Sequence, residues 1–141
     1  MIVLDTNVVS EMMEVAPAPE VRSWLDGTDK NSLWLNAVLI FEIKGGLDTM
    51  DEGRRKRRFL AAFDSLVRLD FQERVLPLDL AAAMAAAEIG AERENVGRPI
   101  DLKDTLIAGI AVSRGATIAT RNVRHFLDLP VQVINPWDAS A

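Results

Sequence analysis

The sequence alternates short apolar segments with longer amphipathic ones, and this alternation constrains the fold more than any other feature. The longer segments carry apolar residues at helical spacing. Strands that alternate with helices form a parallel sheet covered by helices, so we predict an α/β fold with a central, mostly parallel sheet of four to five short strands. The predicted strands are Ile2-Val3-Leu4, Leu33-Trp34-Leu35, Arg74 to Leu78, Ala116 to Thr120 and Val131 to Ile134.

Capping residues and helix breakers set the bounds of the predicted helices. Thr6 or Asn7 is expected to cap a first helix through Ser10 to Glu14. Proline is favoured at the first helical position, so Pro19 is expected to begin the second helix. The remaining helices are predicted from Ala37 to about Met50 after the cap Asn36, from Asp51 through Val67, from the cap Asp79 to about Ala91, and from Asp101 or Asp104 to Arg114-Gly115.

Composition narrows the class of protein. A chain of 141 residues is expected to form one domain, over residues 1–141. It has no cysteine, which excludes disulfides, thiolate metal sites and thiol nucleophiles. No apolar run reaches the roughly 20 residues needed to span a bilayer, and no basic segment precedes the first strand. We therefore expect a cytoplasmic protein with no membrane or secretory segment. The net charge of -5 argues against broad nucleic-acid coating but says little about one local groove.

Three acidic residues lie where an unpaired charge is unusual. Asp5 follows the first strand, at the edge where open α/β sheets form their ligand crevice. Glu42 lies in a helix that is apolar on nearly every face and is expected to be buried, and Asp104 opens a helix whose other side is apolar. Carboxylates that converge without cations favour Mg²⁺ or Mn²⁺ in an oxygen cage. Each acid taken singly is more often a helix cap or a hydrated residue, so the residues alone leave both interpretations open.

Four motifs along the chain resemble those of a PIN-domain ribonuclease. They are Asp5-Thr6-Asn7-Val8-Val9-Ser10-Glu11, Phe41-Glu42-Ile43, Asp104-Thr105-Leu106-Ile107-Ala108 and Thr120-Arg121-Asn122. The similarity is strongest to the toxin of VapBC-type toxin–antitoxin pairs, including the FitB-like branch with its terminal Asn-Pro-Trp, and it extends over essentially the whole chain. The resemblance implies a Mg²⁺- or Mn²⁺-dependent endoribonuclease that acts as a type II toxin and hydrolyses RNA with metal-activated water.

The resemblance also implies a role for individual residues. It makes Asp5, Glu42 and Asp104 the catalytic residues and the metal ligands. Side chains next to such ligands commonly orient them or the metal-bound waters. The supporting residues implied in this way are Thr6, Asn7 and Thr120.

One position departs from the family pattern. Where the family often has a fourth acid after the fourth strand, this chain has Asn122. An amide oxygen is a possible Mg²⁺ ligand that adds no charge, so Asn122 is a further candidate. We expect one metal site, and the missing charge leaves a second open. Asp101, one helical turn before Asp104, is a supporting candidate, with helix capping as the alternative role.

Basic residues supply candidates for RNA binding. Arg121 and Arg124, next to the predicted site, are candidates for holding the RNA backbone. The run from Arg54 to Arg58 is a second candidate, but five consecutive residues cannot share one helical face. We therefore interpret that run as a hydrated surface. The lone His125 is expected at the surface beside Arg124, without a part in the chemistry.

The partners implied by the resemblance are an RNA substrate, a cognate antitoxin and a second copy of the chain, in a homodimer or a larger toxin–antitoxin assembly. The antitoxin would lay a helix in a groove and insert an arginine into the acidic site. Four apolar residues on the second and fourth predicted helices are candidates for these interfaces. They are Trp24, Leu25, Phe59 and Phe63.

Two other functions fit parts of the sequence. A catalytically weakened PIN scaffold would bind RNA or a protein without cleavage, and Asn122 is the residue that favours it. A phosphohydrolase of the haloacid-dehalogenase type also begins with a strand and an aspartate. That family requires a second aspartate where this chain has Asn7, so we rank this function last.

Overall fold

Five short strands form one sheet, and each of their pairings is parallel. The computed structural model describes residues 1–138, so residues 139–141 of the predicted domain lie outside the described part. The predicted α/β fold is confirmed, with five strands in the order β3-β2-β1-β4-β5. The strands are β1 (Ile2–Leu4), β2 (Leu33–Asn36), β3 (Val75–Leu76), β4 (Thr117–Ala119) and β5 (Val133–Ile134).

The direction in which strands are added reverses at β1. The chain first adds β2 and β3 on one side of β1, and later adds β4 and β5 on the other side. In open parallel sheets such a switch point leaves a crevice at the carboxyl ends of the two central strands. Leu4 lies opposite Ala119 in the pairing of β1 with β4. The next residues of the two strands, Asp5 and Thr120, therefore meet at this crevice.

Six α-helices cover the sheet in the described part of the chain. Asn36 and Asp79 cap α3 and α5 as predicted, since their side-chain oxygens accept hydrogen bonds from backbone N–H groups in the first turn. The helices are α1 (Thr6–Met12), α2 (Pro19–Asp26), α3 (Ala37–Asp48), α4 (Arg54–Ser65), α5 (Leu80–Asn95) and α6 (Leu102–Arg114). Shorter turns are the 3₁₀ segments Lys30–Ser32 and Val123–His125 and the π-helical segment Leu66–Asp70.

The caps of α1 and α6 matter for the acidic residues. The prediction that Thr6 or Asn7 caps α1 is wrong, because Asp5 itself is the cap and accepts from the Thr6 N–H at 2.7 Å. For α6, the cap is Asp101, whose carboxylate accepts from the Lys103 N–H at 2.7 Å. Asp104, one turn further along, is therefore free for other contacts.

The alternation of side chains along the strands divides the core between the two faces of the sheet. Leu4 and Leu35 point to the face covered by helices α1 to α4, whereas Val3 and Ile118 point to the face covered by α5 and α6. The helices α5 and α6 approach very closely at Gly109, where a Cβ atom would lie 2.5 Å from the carbonyl oxygen of Ala82. This close contact fixes how α6 lies against α5.

The structure corrects one expectation about apolar residues and leaves another as a prediction. Helix α3 is not buried on every face, because Phe41 is 72% exposed while Leu39 is fully buried. Of the four apolar residues assigned to interfaces, Phe63 is buried, and Trp24, Leu25 and Phe59 are half-buried against the core, so their role in an interface stays a prediction. Across residues 1–138, no helix combines the length and apolarity needed to cross a membrane.

Candidate active site

Asp5 is a buried carboxylate held by three donors. It is 3% exposed at the carboxyl end of β1. Its Oδ2 accepts a hydrogen bond from the hydroxyl of Thr120 at 2.7 Å and a longer one from the amide of Asn7 at 3.3 Å. Its Oδ1 accepts from the Thr6 N–H. All three donors are neutral, so the Asp5 carboxylate is oriented without being paired to a cation.

Glu42 is fixed next to this first acid by Thr6. The Thr6 hydroxyl donates to Glu42 Oε1 at 2.9 Å, while the Thr6 backbone N–H donates to Asp5. One residue at the start of α1 therefore contacts carboxylates on β1 and α3. Helix α3 places Glu42 there because its buried face, with Leu39 and Ile43, packs on the core.

Asp104 lies on the first turn of α6, and its side chain is 17% exposed. Its Oδ2 lies 2.8 Å from Nδ1 of His125. A carboxylate can only accept a hydrogen bond, so Nδ1 is the donor and carries the proton in this pair. The expectation that His125 lies at the surface beside Arg124 is therefore wrong, because its ring is two-thirds covered and bonded to a predicted metal ligand.

The three acids interact electrostatically. The pKa of the Asp5 carboxyl is raised, chiefly by burial, and the hydrogen bond from Thr120 opposes that rise. The negative charges of Asp104 and Glu42 raise the pKa further. Within the described part of the chain, neither Asp5 nor Glu42 forms an ion pair with Lys or Arg. The site therefore has an excess of negative charge that a cation would neutralise.

The donor set suits a hard cation, although it does not form a closed cage. Carboxylate oxygens are the ligands preferred by Mg²⁺ and Mn²⁺. Among residues 1–138, no three Asp, Glu or His side chains are grouped closely enough to enclose a metal ion by themselves. A cation that keeps several of its own waters, as Mg²⁺ does, fits such an open arrangement better than one that needs a full protein cage.

The other predicted site residues take different positions. Asn122 is exposed and follows β4, and its backbone N–H donates to the hydroxyl of Thr120 at 3.0 Å. Asp101 is exposed and serves as the cap of α6, which favours the alternative role given to it above. Arg124 is exposed on the 3₁₀ segment after Asn122.

Arg121 lies at the rim of the site. Its backbone N–H donates to Asn7 Oδ1 at 3.2 Å, and its guanidinium carbon lies 5.0 Å from the centre of the Trp137 ring. A cation over an indole face is attracted by the ring, which holds the guanidinium in one region. The Arg121 guanidinium is therefore held over the Trp137 ring, while its backbone contacts Asn7, which donates to Asp5.

A groove adjoins Glu42 and the basic run on α4. It has a volume of about 310 Å³, and its lining includes Thr6, Glu42, Arg55 and Phe59. Arg55 and Arg58 both stack on Phe59, at 5.5 and 5.0 Å from the ring centre. Most of the basic run is exposed, as the hydrated-surface interpretation predicts, and Arg55 is its member in this groove.

A model of the PIN domain family matches residues 2–131. The chain is a PIN-domain protein. The match spans β1 to the segment before β5 and so includes every acid discussed above.

Curated relatives and solved structures place this PIN domain in the VapC and FitB-like branch, as the sequence motifs predicted. The chain is 36% identical to VapC ribonuclease Y4jK of Sinorhizobium fredii, over 98% of this chain and 99% of that protein. It is 32% identical to toxin FitB of Neisseria gonorrhoeae, over 97% and 99% of the two chains. A solved structure of FitAB bound to an IR36 DNA fragment superposes with a TM-score of 0.89 at 31% identity, covering 100% of this chain and 99% of that one.

Two residues of this PIN domain that contact the site region were not identified from sequence. His125 was given no part in the chemistry because hydrolysis by metal-activated water needs no histidine as general base. Arg93 is fully covered inside an alanine-rich helix and contacts the backbone of His125. An arginine at this point of an amphipathic helix is ordinarily hydrated, so nothing in the spacing indicates its burial.

Proposed function

We propose that this PIN domain is a divalent-metal-dependent endoribonuclease and the toxin of a type II toxin–antitoxin module. The observation that carries the proposal is the buried carboxylate of Asp5, whose pKa is raised by burial and by two neighbouring acids and which no lysine or arginine of residues 1–138 neutralises. Unpaired buried charge is destabilising unless it binds something. The relatives named ribonuclease and toxin support the choice of reaction.

In this proposal Asp5, Glu42 and Asp104 hold Mg²⁺ or Mn²⁺. When bound, such a cation neutralises a phosphodiester and makes a bound water more acidic. Thr120 and Asn7 keep the Asp5 carboxylate pointing into the crevice, and Thr6 does the same for Glu42. Hydrogen bonds of this kind fix ligand orientation and strengthen metal binding. Asn122, next to Thr120, is a further candidate oxygen ligand for the cation.

Substrate binding is proposed to use the fixed charge at the rim. Arg121, stacked on Trp137, is placed to contact an RNA phosphate beside the acids, with Arg124 as a second contact one turn away. Phosphate contacts of this kind give an affinity that falls with salt. RNA sequence selectivity would come from the shape of single-stranded or loop regions that reach the crevice.

The test is RNA cleavage by the full chain with Mg²⁺ or Mn²⁺, compared with Asp104→Asn. We expect cleavage by wild type that EDTA abolishes, and none by the variant under any condition. Arg114→Gln, at the far end of α6, is a matched surface control that should cleave at the wild-type rate. Cleavage that survives both EDTA and the substitution would contradict the metal mechanism. A wild type that binds RNA but cuts none would support the non-cleaving scaffold instead.

We further propose that the chain functions in the cytoplasm as a homodimer silenced by a small antitoxin. The relative FitB is named a toxin, and the FitAB structure contains a chain of this fold within a DNA-bound assembly. The acids and the adjoining groove of about 310 Å³ would accept an arginine and an apolar helix, respectively. Light scattering after size-exclusion chromatography tests the dimer, and a mass of one chain, about 15.5 kDa, would contradict it.

A further inference from the structure

The second buried charge of the molecule is Arg93, on the last turns of α5. Its side chain is 2% exposed. The guanidinium holds Asp128 through two bonds of 2.9 Å, from Nε to Oδ2 and from Nη2 to Oδ1. It also donates to the carbonyl oxygen of His125 at 2.6 Å and to the hydroxyl of Thr105 at 3.2 Å. Four contacts from one planar group join three separate segments.

These contacts surround Asp104 on both sides. Thr105, its neighbour on α6, is held by Arg93 and itself donates to the carbonyl oxygen of Asp101 at 3.1 Å. On the other side, the backbone of His125 is held by Arg93, and the His125 ring contacts the Asp104 carboxylate. The position of the Asp104 carboxylate therefore depends on a residue that does not touch it.

We propose that Arg93 is a positioning residue of the active site. It clamps the turn from His125 to Asp128 onto the first turn of α6, so that the imidazole of His125 holds the Asp104 carboxylate in its metal-binding orientation. The statement about metal rests on the proposed function, whereas the clamp rests on the contacts alone.

The geometry of the guanidinium explains why the clamp needs arginine. Its N–H groups are fixed in one plane, so the two bonds to Asp128 determine where the remaining donors point. The ammonium group of lysine is a single point on a flexible stem and cannot make these four contacts together. Arg93→Lys therefore preserves the buried charge while removing the geometry.

The first measurement uses the imidazole itself as a probe. The chain contains one histidine, so a proton–nitrogen NMR spectrum of the ring reports His125 without assignment. In EDTA at pH 8.5 we expect wild type to show a proton on Nδ1, as the contact with Asp104 requires. Arg93→Lys should shift the ring towards the Nε2–H form, because the backbone of His125 is no longer held. Arg68→Lys, in an exposed pair with Asp64, should leave the spectrum unchanged.

The second measurement is Mn²⁺ affinity by calorimetry, arranged as a double-mutant cycle. We expect Arg93→Lys to weaken binding about 10-fold, the lower end of what loss of such indirect support costs. His125→Leu should weaken it similarly, and the double variant no further, because Arg93 acts through His125. Should Arg93→Lys prove unfolded, Asp128→Asn replaces it in the cycle, since Asp128 is partly exposed and the substitution removes its charge and one of the two oxygens that accept from Arg93.

Each outcome either supports or overturns the proposal that Arg93 positions His125 and Asp104. A shifted imidazole spectrum with non-additive losses of Mn²⁺ affinity supports the clamp. An unchanged spectrum in a folded variant, or strictly additive losses, overturns it and leaves Arg93 as a purely structural residue. A wild type that binds no Mn²⁺ contradicts the proposed function and the metal role of the clamp, while the spectrum alone still decides whether Arg93 positions His125.

Discussion

Asp5 and Arg93 are the two charged residues of residues 1–138 that are buried, and their surroundings differ in kind. Arg93 has a carboxylate partner, Asp128, and neutral acceptors on that partner's turn and on α6. Asp5 has only neutral donors, and its nearest charges are the acids Glu42 and Asp104. The pKa directions agree with this contrast: the Arg93 guanidinium lowers the pKa of Asp128, whereas burial and neighbouring charge raise that of Asp5.

The contrast separates structural charge from functional charge. A buried ion with its partners in place is complete within the fold, and disturbing it loosens the structure. A buried ion without a counter-ion lowers the stability of the protein. Binding of a ligand of opposite charge restores that stability. By this criterion the Arg93 cluster is complete within the fold, whereas the Asp5 cluster is where the proposed cation would bind.

The largest effect is expected from a substitution of Asp5, the buried charge without a counter-ion. Asp5→Asn should lower the rate of RNA cleavage at least 10³-fold, about 4 kcal/mol, because it removes a buried charge from the metal site. The same variant should unfold in EDTA no more easily than wild type, since asparagine caps a helix as well as aspartate does and relieves the repulsion. Cleavage assays and urea unfolding measure the two effects. Cleavage within 10-fold of wild type would show that Asp5 is not needed.

The next largest effect is expected from a substitution of Arg93, the buried charge whose partners are in place. Arg93→Met should lower the free energy of unfolding by about 2–3 kcal/mol, somewhat less than the loss of one partner from a fully buried pair. The value is discounted because Asp128 is 37% exposed and can be hydrated once its partner is gone. Urea unfolding measures it, with Arg68→Met in the exposed pair with Asp64 as the control that should change nothing. If Arg93→Met and Arg68→Met have equal free energies of unfolding, the conclusion that the Arg93 contacts stabilise the fold is contradicted.

The third effect sharpens the contrast through pH. A raised folded pKa means that the stability contributed by protonated Asp5 is present below its unfolded pKa and lost as pH rises through the folded value. The lowered pKa of Asp128 has the opposite sign: its contribution is present above the unfolded pKa and lost as pH falls through the folded value. Unfolding curves in EDTA from pH 3 to 7 should therefore give Asp5→Asn an advantage over wild type that grows with pH.

The corresponding variant of the Arg93 cluster, Asp128→Asn, should show the opposite pH dependence of stability. Asp128→Asn should lose little stability relative to wild type at the acidic end of this range and more at the neutral end. Parallel pH dependence of the two variants would be the contrary result.

The smallest effect is expected from a substitution of Arg121, at the rim of the site that contains Asp5. Arg121→Gln should raise KM for RNA a few-fold at low salt, with a smaller change near 0.3 M salt, because one phosphate contact is lost. Steady-state cleavage at two salt concentrations measures it. Arg114→Gln, at the end of α6 remote from Asp104, should leave KM unchanged at both salt concentrations. An effect on kcat alone would argue against a role in substrate binding.

Local patterns predicted the fold and the caps of α3 and α5 correctly, while the role of the acids stays a prediction. The strands were identified because β-branched runs lie between helix signals, and Asn36 and Asp79 were identified as caps because capping depends on residues three positions apart. Asp5 stood out because an acid directly follows a buried strand. These features are local, so they can be read from a short window of sequence.

Apart from the cap of α1, which was misplaced by one or two positions, most errors concern contacts between distant residues. His125 meets Asp104 across 21 positions, and Arg93 meets Asp128 across 35, so neither contact leaves a local signal. Phe41 was expected to be buried because a helix that is apolar all round does not indicate which side faces solvent. The exposed and buried sides were decided instead by how α3 packs on the sheet.

The bond between Thr120 and Asp5 joins residues 115 positions apart, at the centre of the sheet. During synthesis β1 leaves the ribosome early, but β4 is among the last elements to emerge. Contacts this distant in sequence form only when nearly all of the chain is available. A nascent or truncated chain therefore holds its first acid without the strand that orients it. The order of synthesis itself delays the assembly of the proposed catalytic site until nearly the whole chain has been made.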